Sequence, residues 1–246
     1  MINAKLPELR QKMPESTYIF PRPNDLETEW FYDDIDQVVC PKTKNLIDGF
    51  CIPKVNNKEM VQEIDEALNK LEAKLDLKQG TYKVIAQIET TESITKMDEI
   101  FQTGKNRIVA GAFGADDFLT DFGIERRYNL EELDYFRKKF ALHCAANNVV
   151  SIDTPYVHFK NPEGLKEELE YLKGIGIKAK FAIHPLQIDI INEAFRPTEE
   201  QIKYAQGLVE AFEKAMEEGK AAIDYQNKMC DVPVYKRMVN VLTRAG

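Results

Sequence analysis

Short apolar runs alternate with longer amphipathic segments along most of this chain. Six of them, STYIFPRPN, LIDGFCIPKV, YKVIAQIE, RIVAGAFGADDF, VVSIDTPYV and AKFAIHP, have the length and composition of buried strands. The segments between them carry helical spacing. In NNKEMVQEIDEALNKLEAKL, Met60, Ile64, Leu68 and Leu71 recur at intervals of four, four and three, which predicts one buried stripe. Strand and helix alternating this regularly predict parallel βαβ units with right-handed crossovers.

Most of the runs end on polar or otherwise unusual residues: Arg22 and Asn24, Lys54, Glu89, Asp116 and Asp117, Asp153, and His184. A closed α/β barrel gathers chemistry at the C-terminal ends of many strands, whereas an open doubly wound sheet gathers it at one switch point. Six decorated ends therefore predict a TIM-barrel-like (β/α)8 architecture. From PTEEQIKYAQGLVEAF onward the pattern reads as a long helix with Thr198 as N-cap, followed by a loop and a second short helix that belong to no barrel unit. The expected organisation is a barrel domain over 1–197 and a C-terminal helix and lid over 198–246.

Composition narrows the class. Hydrophobic residues make up 43% and charged residues 30% of the 246, enough to bury a core. A net charge of -8 leaves no basic stripe for a phosphate backbone, so nucleic acid is not expected as a partner. No apolar run approaches the ~18 residues needed to cross a bilayer, and the N-terminus has no apolar signal region; a cytoplasmic protein without membrane contact is expected. Cys40, Cys51, Cys144 and Cys230 are scattered with no C-x-x-C pair and no His at ligand spacing, so reduced structural thiols are expected.

Glu89 and the pair Asp116/Asp117 end successive strands, which would bring their carboxylates together on neighbouring staves. Adjacent carboxylates repel, and a divalent cation removes the penalty; oxygen ligands without Cys or His suit Mg²⁺ or Mn²⁺. The bland alternative for Glu89 is a lysine partner or a cap on the next helix. Arg22, between Pro21 and Pro23, could hold a carboxylate or developing enolate oxygen by a bidentate contact, although an exposed surface arginine is the commoner case. His184 has no Ser or Cys nucleophile as partner and reads as structural; Gly174 and Gly176 read as a helix C-cap.

In chain order, RPN, DGFCIPKV, IET, FGADDFLTDFG, DTPYVHFKNPEGL, KAKFAIHPLQIDIINEAFRPTEEQ and KMCDVPV resemble the citrate lyase β-subunit-like branch of the HpcH/HpaI aldolase/citrate lyase family, which contains citryl, malyl and citramalyl thioester lyases. The resemblance implies a TIM barrel with Mg²⁺ held by Glu89 and Asp117, and substrate oxygen held by Arg22 with Asp116 beside it. It also implies a lid aspartate, Asp231, that completes the site of a neighbouring subunit in a homo-oligomer, a trimer or hexamer. The implied reaction is carbon–carbon cleavage, or its reverse, of a 3-hydroxy-acyl thioester on CoA or acyl carrier protein, giving a 2-oxo acid. A thioesterase-like hydrolase and a catalytically silent scaffold subunit are the alternatives. Ser93 and Ala179 stand where the family often has glycine at turns, so altered backbone is expected there. The family's F-V-P-G and L-E-D-A-V strands have no counterpart before Arg22, so six of eight strands are recognisable. Self-association, a partner or a truncated paralogue would each account for the open edges.

Overall fold

The computed structural model describes residues 2–127 and 131–243, which form two compact units. The first comprises 1–158 with 171–183, the second 159–170 with 184–246.

The first unit contains strands β1 (Gly49–Ile52), β2 (Lys83–Ile88), β3 (Ile108–Phe113), β4 (Val150–Asp153) and β5 (Ala179–Lys180), all parallel and ordered β1-β2-β3-β4-β5. Sequential order without reversal is the progression of a barrel wall rather than of a doubly wound sheet. Helices α1 (Ile2–Lys12) and α2 (Phe31–Val38) precede the sheet. The crossovers carry α3 (Lys58–Lys74), α4 (Thr91–Thr95), α5 (Met97–Thr103), α6 (Ala115–Phe122) and α7 (Asp134–Ala146), and α8 (Pro162–Gly174), of which 162–170 fall in the second unit. The stripe expected on α3 is realised: Met60, Ile64, Leu68 and Leu71 are all buried.

The first of the six apolar runs forms no strand. It lies beside β1 through Asp48 N–H to the Ile19 carbonyl (3.0 Å) and Cys51 N–H to the Pro21 carbonyl (3.0 Å), but Pro21 and Pro23 have no N–H to continue a ladder.

Side-chain alternation splits β2 into two faces. Val84, Ala86 and Ile88 are buried, and Phe50 and Ile52 of β1 likewise. Ile85, Gln87 and Glu89 take the opposite face. Strand register extends these into rows across the sheet: Ile85, Ala110 and Val150; then Gln87, Ala112, Ile152 and Ala179. Glu89 and Gly114 follow one step further along their strands.

The second unit holds α9 (Ile188–Phe195), α10 (Glu199–Glu217), strands β6 (Ala222–Tyr225) and β7 (Lys228–Asp231), and α11 (Val232–Thr243). Thr198 caps α10 in a capping box with Gln201, as expected. The expected loop is instead an antiparallel β6–β7 hairpin, turned at Gln226 (φ 53°) and Asn227 (φ 60°). Two left-handed residues in succession match the twist of a two-residue hairpin, and the sequence lacks the glycine that usually announces one. Leu208 and Phe212 of α10 pack with Cys230, Tyr225, Tyr235 and Met238 as this unit's core.

Candidate active site at the strand ends

A cleft of about 580 Å³ opens at the C-terminal end of the sheet in the first unit, lined by Arg22, Cys51, Gln87, Glu89, Asp116, Asp117 and Thr154 with Tyr18, Phe20, Phe113 and Phe181. Glu89 is 4% exposed. Its Oε1 accepts the backbone N–H of Lys54 at 2.9 Å. Lys54 holds a left-handed φ of 47°, a conformation that costs a non-glycine residue energy and concentrates at functional sites. The bland alternatives for Glu89 therefore do not hold. Thr90, not Glu89, caps α4, receiving the Ser93 N–H at 3.1 Å, and the Lys54 ammonium lies 3.6 Å from Asp25.

Gly114 is built around Glu89. A Cβ there would stand 2.3 Å from Glu89 Oε2 and 2.5 Å from its Cβ. The absent side chain leaves Oε2 its space, and Gly114 N–H bonds the Ile88 carbonyl at 3.1 Å to bring the two strand ends together. Gly114 also begins α6, whose first turn carries Asp116 and Asp117. Asp116 is largely exposed and ion-paired to Arg126 at 2.6 Å. Asp117 has no hydrogen bond or ion pair among the described residues, but its charge reaches Glu89.

Burial, reinforced by Asp117, pushes the Glu89 carboxyl above the usual carboxylate range against the Lys54 N–H, the Lys54 charge and Arg22. Arg22 itself lines the cleft with no hydrogen bond or ion pair among the described residues. Burial pushes the Cys51 thiol to about 12, with Arg22 opposing and Glu89 adding, so it is no nucleophile at neutral pH.

No group of three or more His, Cys, Asp or Glu that could hold a metal is formed among the described residues. The donor set is two carboxylates, one desolvated with a free oxygen and one solvated beside it. That set fits a hard divalent ion that keeps several waters, Mg²⁺ above all.

Other strand-end residues singled out in the sequence have structural duties. Asn24 donates from backbone and side chain to Asp34 (2.8 and 2.7 Å). His184 caps a short 3₁₀ turn at the Leu186 N–H and stacks on Phe159 at 4.7 Å. Asp153 is fully buried on the helix-covered face, bidentate to Arg137 of α7 (2.9 and 2.8 Å) and 2.7 Å from Lys180 Nζ. Ser93 completes the capping box of α4 and Ala179 opens β5. Asp231 belongs to the second unit, where its Oδ1 accepts the Val234 N–H at 3.2 Å at the start of α11. Gln87, Cys51, Gly114 and Thr154 were not singled out beforehand. For Gln87 the available signal was its place two residues before Glu89 on one strand face.

The sequence profile described as HpcH/HpaI aldolase/citrate lyase matches residues 4–185. The chain belongs to this family. It is 30% identical over 224 residues to the citrate lyase subunit beta of Escherichia coli (strain K12), covering 91% of this chain and 72% of that protein. It is 32% identical over 136 residues to the mitochondrial citramalyl-CoA lyase of Rattus norvegicus, covering 55% of this chain and 40% of that protein. Its fold matches the crystal structure of CitE from Mycobacterium tuberculosis in complex with magnesium, acetoacetate and coenzyme A, with a TM-score of 0.69 at 22% identity over 99% of this chain and 84% of that one. The parallel α/β fold expected from the strand order is thus the fold found; five of the six expected strands are hydrogen-bonded among the described residues, as a row of five with no pairing between its two ends. No described helix is long and apolar enough to cross a membrane.

Proposed function

We propose that this chain is a Mg²⁺-dependent carbon–carbon lyase, acting on a 3-hydroxy-acyl thioester carried by CoA or acyl carrier protein and releasing a 2-oxo acid and an acyl thioester, or running the reverse condensation. The observation that carries the reading is the pairing of a desolvated Glu89 with Asp117 in a cleft that also holds the free guanidinium of Arg22. Membership of a family whose relatives are named citrate lyase subunit beta and citramalyl-CoA lyase supports it.

Glu89 and Asp117 would hold the ion, which when bound supplies Lewis-acid polarisation of the substrate oxygens. Arg22 holds the 3-oxygen as charge develops on it. The O–H proton passes to water in the open cleft, the C2–C3 bond breaks, the oxygen's electron pair forms the oxo group, and the bond's pair passes into the thioester enolate. Asp231 of a neighbouring subunit is assigned the proton that returns to C2. Asp116, tied to Arg126, sets the polar edge of the cleft on the substrate side. Cys51, with its thiol held neutral, keeps the cleft free of a competing nucleophile.

Calorimetric titration of Mg²⁺ into the protein, alone and with a 2-oxo acid present, tests the reading. The expected result is binding that strengthens with the acid and disappears in Glu89→Ala and Asp117→Ala. Absence of binding at millimolar Mg²⁺ in the wild type overturns it.

A further inference from the structure

Gln87 is 93% shielded from solvent, being 7% exposed, and its Oε1 is buried with no hydrogen-bond partner. Among the described residues its side-chain amide makes no hydrogen bond at either end. A buried acceptor in this state is costly, because the oxygen gave up water without replacement, whereas Nε2 is not among the buried unpartnered atoms and the residue lines the cleft. On the β3 side its register neighbour is Ala112, with Ile152 and Ala179 further along the row, none with a polar side chain. The row below is Cys51, Ile85, Ala110 and Val150, in which the Cys51 thiol is the one polar side-chain group. Ala112 on the adjacent strand leaves open volume beside the amide, and Gln87 lines the same cleft as Glu89, Asp117 and Arg22. Along β2 it sits two residues before Glu89 on the same face, about 6.6 Å deeper.

We propose that Gln87 is a specificity residue that hydrogen-bonds the far end of the 2-oxo acid, so that the site takes a dicarboxylic 2-oxo acid in preference to one ending in methyl or hydrogen. The inference rests on the lyase reading above. With the oxo and adjacent carboxylate groups held at the level of Glu89, the third substituent is the part that can reach the deeper row. A second carboxylate accepts from the amide Nε2–H; the amide's two ends exchange by rotation about its last side-chain bond, so either can face the ligand. A methyl or hydrogen there leaves the amide unpaired in the complex as well, and sites built around a buried hydrogen-bonding group reject ligands that lack its partner.

Calorimetry with freshly dissolved oxaloacetate, pyruvate and glyoxylate in saturating Mg²⁺ tests this on the wild type, Gln87→Met and Gln87→Leu. In the wild type, oxaloacetate is expected to bind at least about tenfold more tightly than either smaller acid. In both variants the ratio falls to about threefold or less, mainly through weaker oxaloacetate binding, while Mg²⁺ affinity without acid is unchanged and the thermal midpoint is not lowered. Equal binding of the three acids by the wild type overturns the inference and leaves the lyase reading standing. So does an unchanged ratio in the variants, or loss of Mg²⁺ affinity in them. Failure of the wild type to bind Mg²⁺ or any of the acids overturns the lyase reading and the inference together.

Discussion

Glu89 and Asp153 are carboxylates at the C-terminal ends of two parallel strands, both almost wholly removed from water, yet their environments push them in opposite directions. Burial alone would raise both. At Asp153 it is outweighed by Lys180 and Arg137, whose charges and hydrogen bonds hold the carboxyl below the usual aspartate range. At Glu89 one backbone N–H and two cations do not outweigh burial and the like charge of Asp117, and the carboxyl is held above the usual range. Strand alternation produces the difference. Asp153 points to the face covered by α7, where Arg137 waits, and Glu89 to the face that lines the cleft. A buried carboxylate fully matched by protein cations is part of the scaffold, whereas one left under-compensated beside another carboxylate is prepared for a cation from solution.

The strongest way to break the comparison is on the matched side. Asp153→Asn removes the carboxylate shared by Arg137 and Lys180, which are 2% and 6% exposed. Stability measured by urea denaturation is expected to fall by about 3–5 kcal/mol. A loss below about 1 kcal/mol would show that the ion network is not a stability element.

Next in size is Gly114→Ala. The new Cβ meets Glu89 Oε2 at 2.3 Å, so the carboxylate or the strand end must shift. Stability should drop by about 1–3 kcal/mol, and Mg²⁺ affinity by about tenfold or more, by denaturation and calorimetry respectively. Unchanged Mg²⁺ binding would separate Glu89 from the metal.

The smallest effect is expected from Glu89→Gln, which replaces a desolvated charge by a neutral isostere. In metal-free buffer stability should stay level or rise by up to about 1 kcal/mol, while the thermal stabilisation expected of Mg²⁺ in the wild type should be lost. The pH dependence carries opposite signs. The folded protein holds the Glu89 proton more tightly than the unfolded chain does. That contribution is fully present below the ordinary glutamate range and is lost as pH rises through the raised value. The Asp153 contribution is present above the ordinary aspartate range and is lost as pH falls through the depressed value. Denaturation across pH in chelator should show the first slope vanish in Glu89→Gln and the second in Asp153→Asn.

Much of this was legible beforehand because it depends on local pattern. The α3 stripe, the Thr198 cap and the parallel βα alternation follow from spacings that any folded context would preserve. The hairpin at Gln226 and Asn227 was not legible, since neither is a glycine; the antiparallel ladder from Ala222–Asp231 to Tyr225–Lys228 holds both in the left-handed region. The strand expected around Arg22 was overread, because its apolar residues suggested pairing that its prolines do not permit.

By itself, the sequence determined that carboxylates would gather at the ends of parallel strands, since strand polarity and alternation with helices leave them no other end; Arg22 joins them in the cleft from a segment that forms no strand. Only the tertiary structure decided which carboxylate is neutralised from within and which remains open to a ligand. Side chains alternate every residue along a strand, but whether a face meets Arg137, Lys180 or a cleft is set by residues tens of positions away, such as the 35 separating Glu89 from its Lys54 donor. The unmet amide oxygen of Gln87 is likewise a fact of packing: Ala112 became its neighbour only when β2 and β3 came into register.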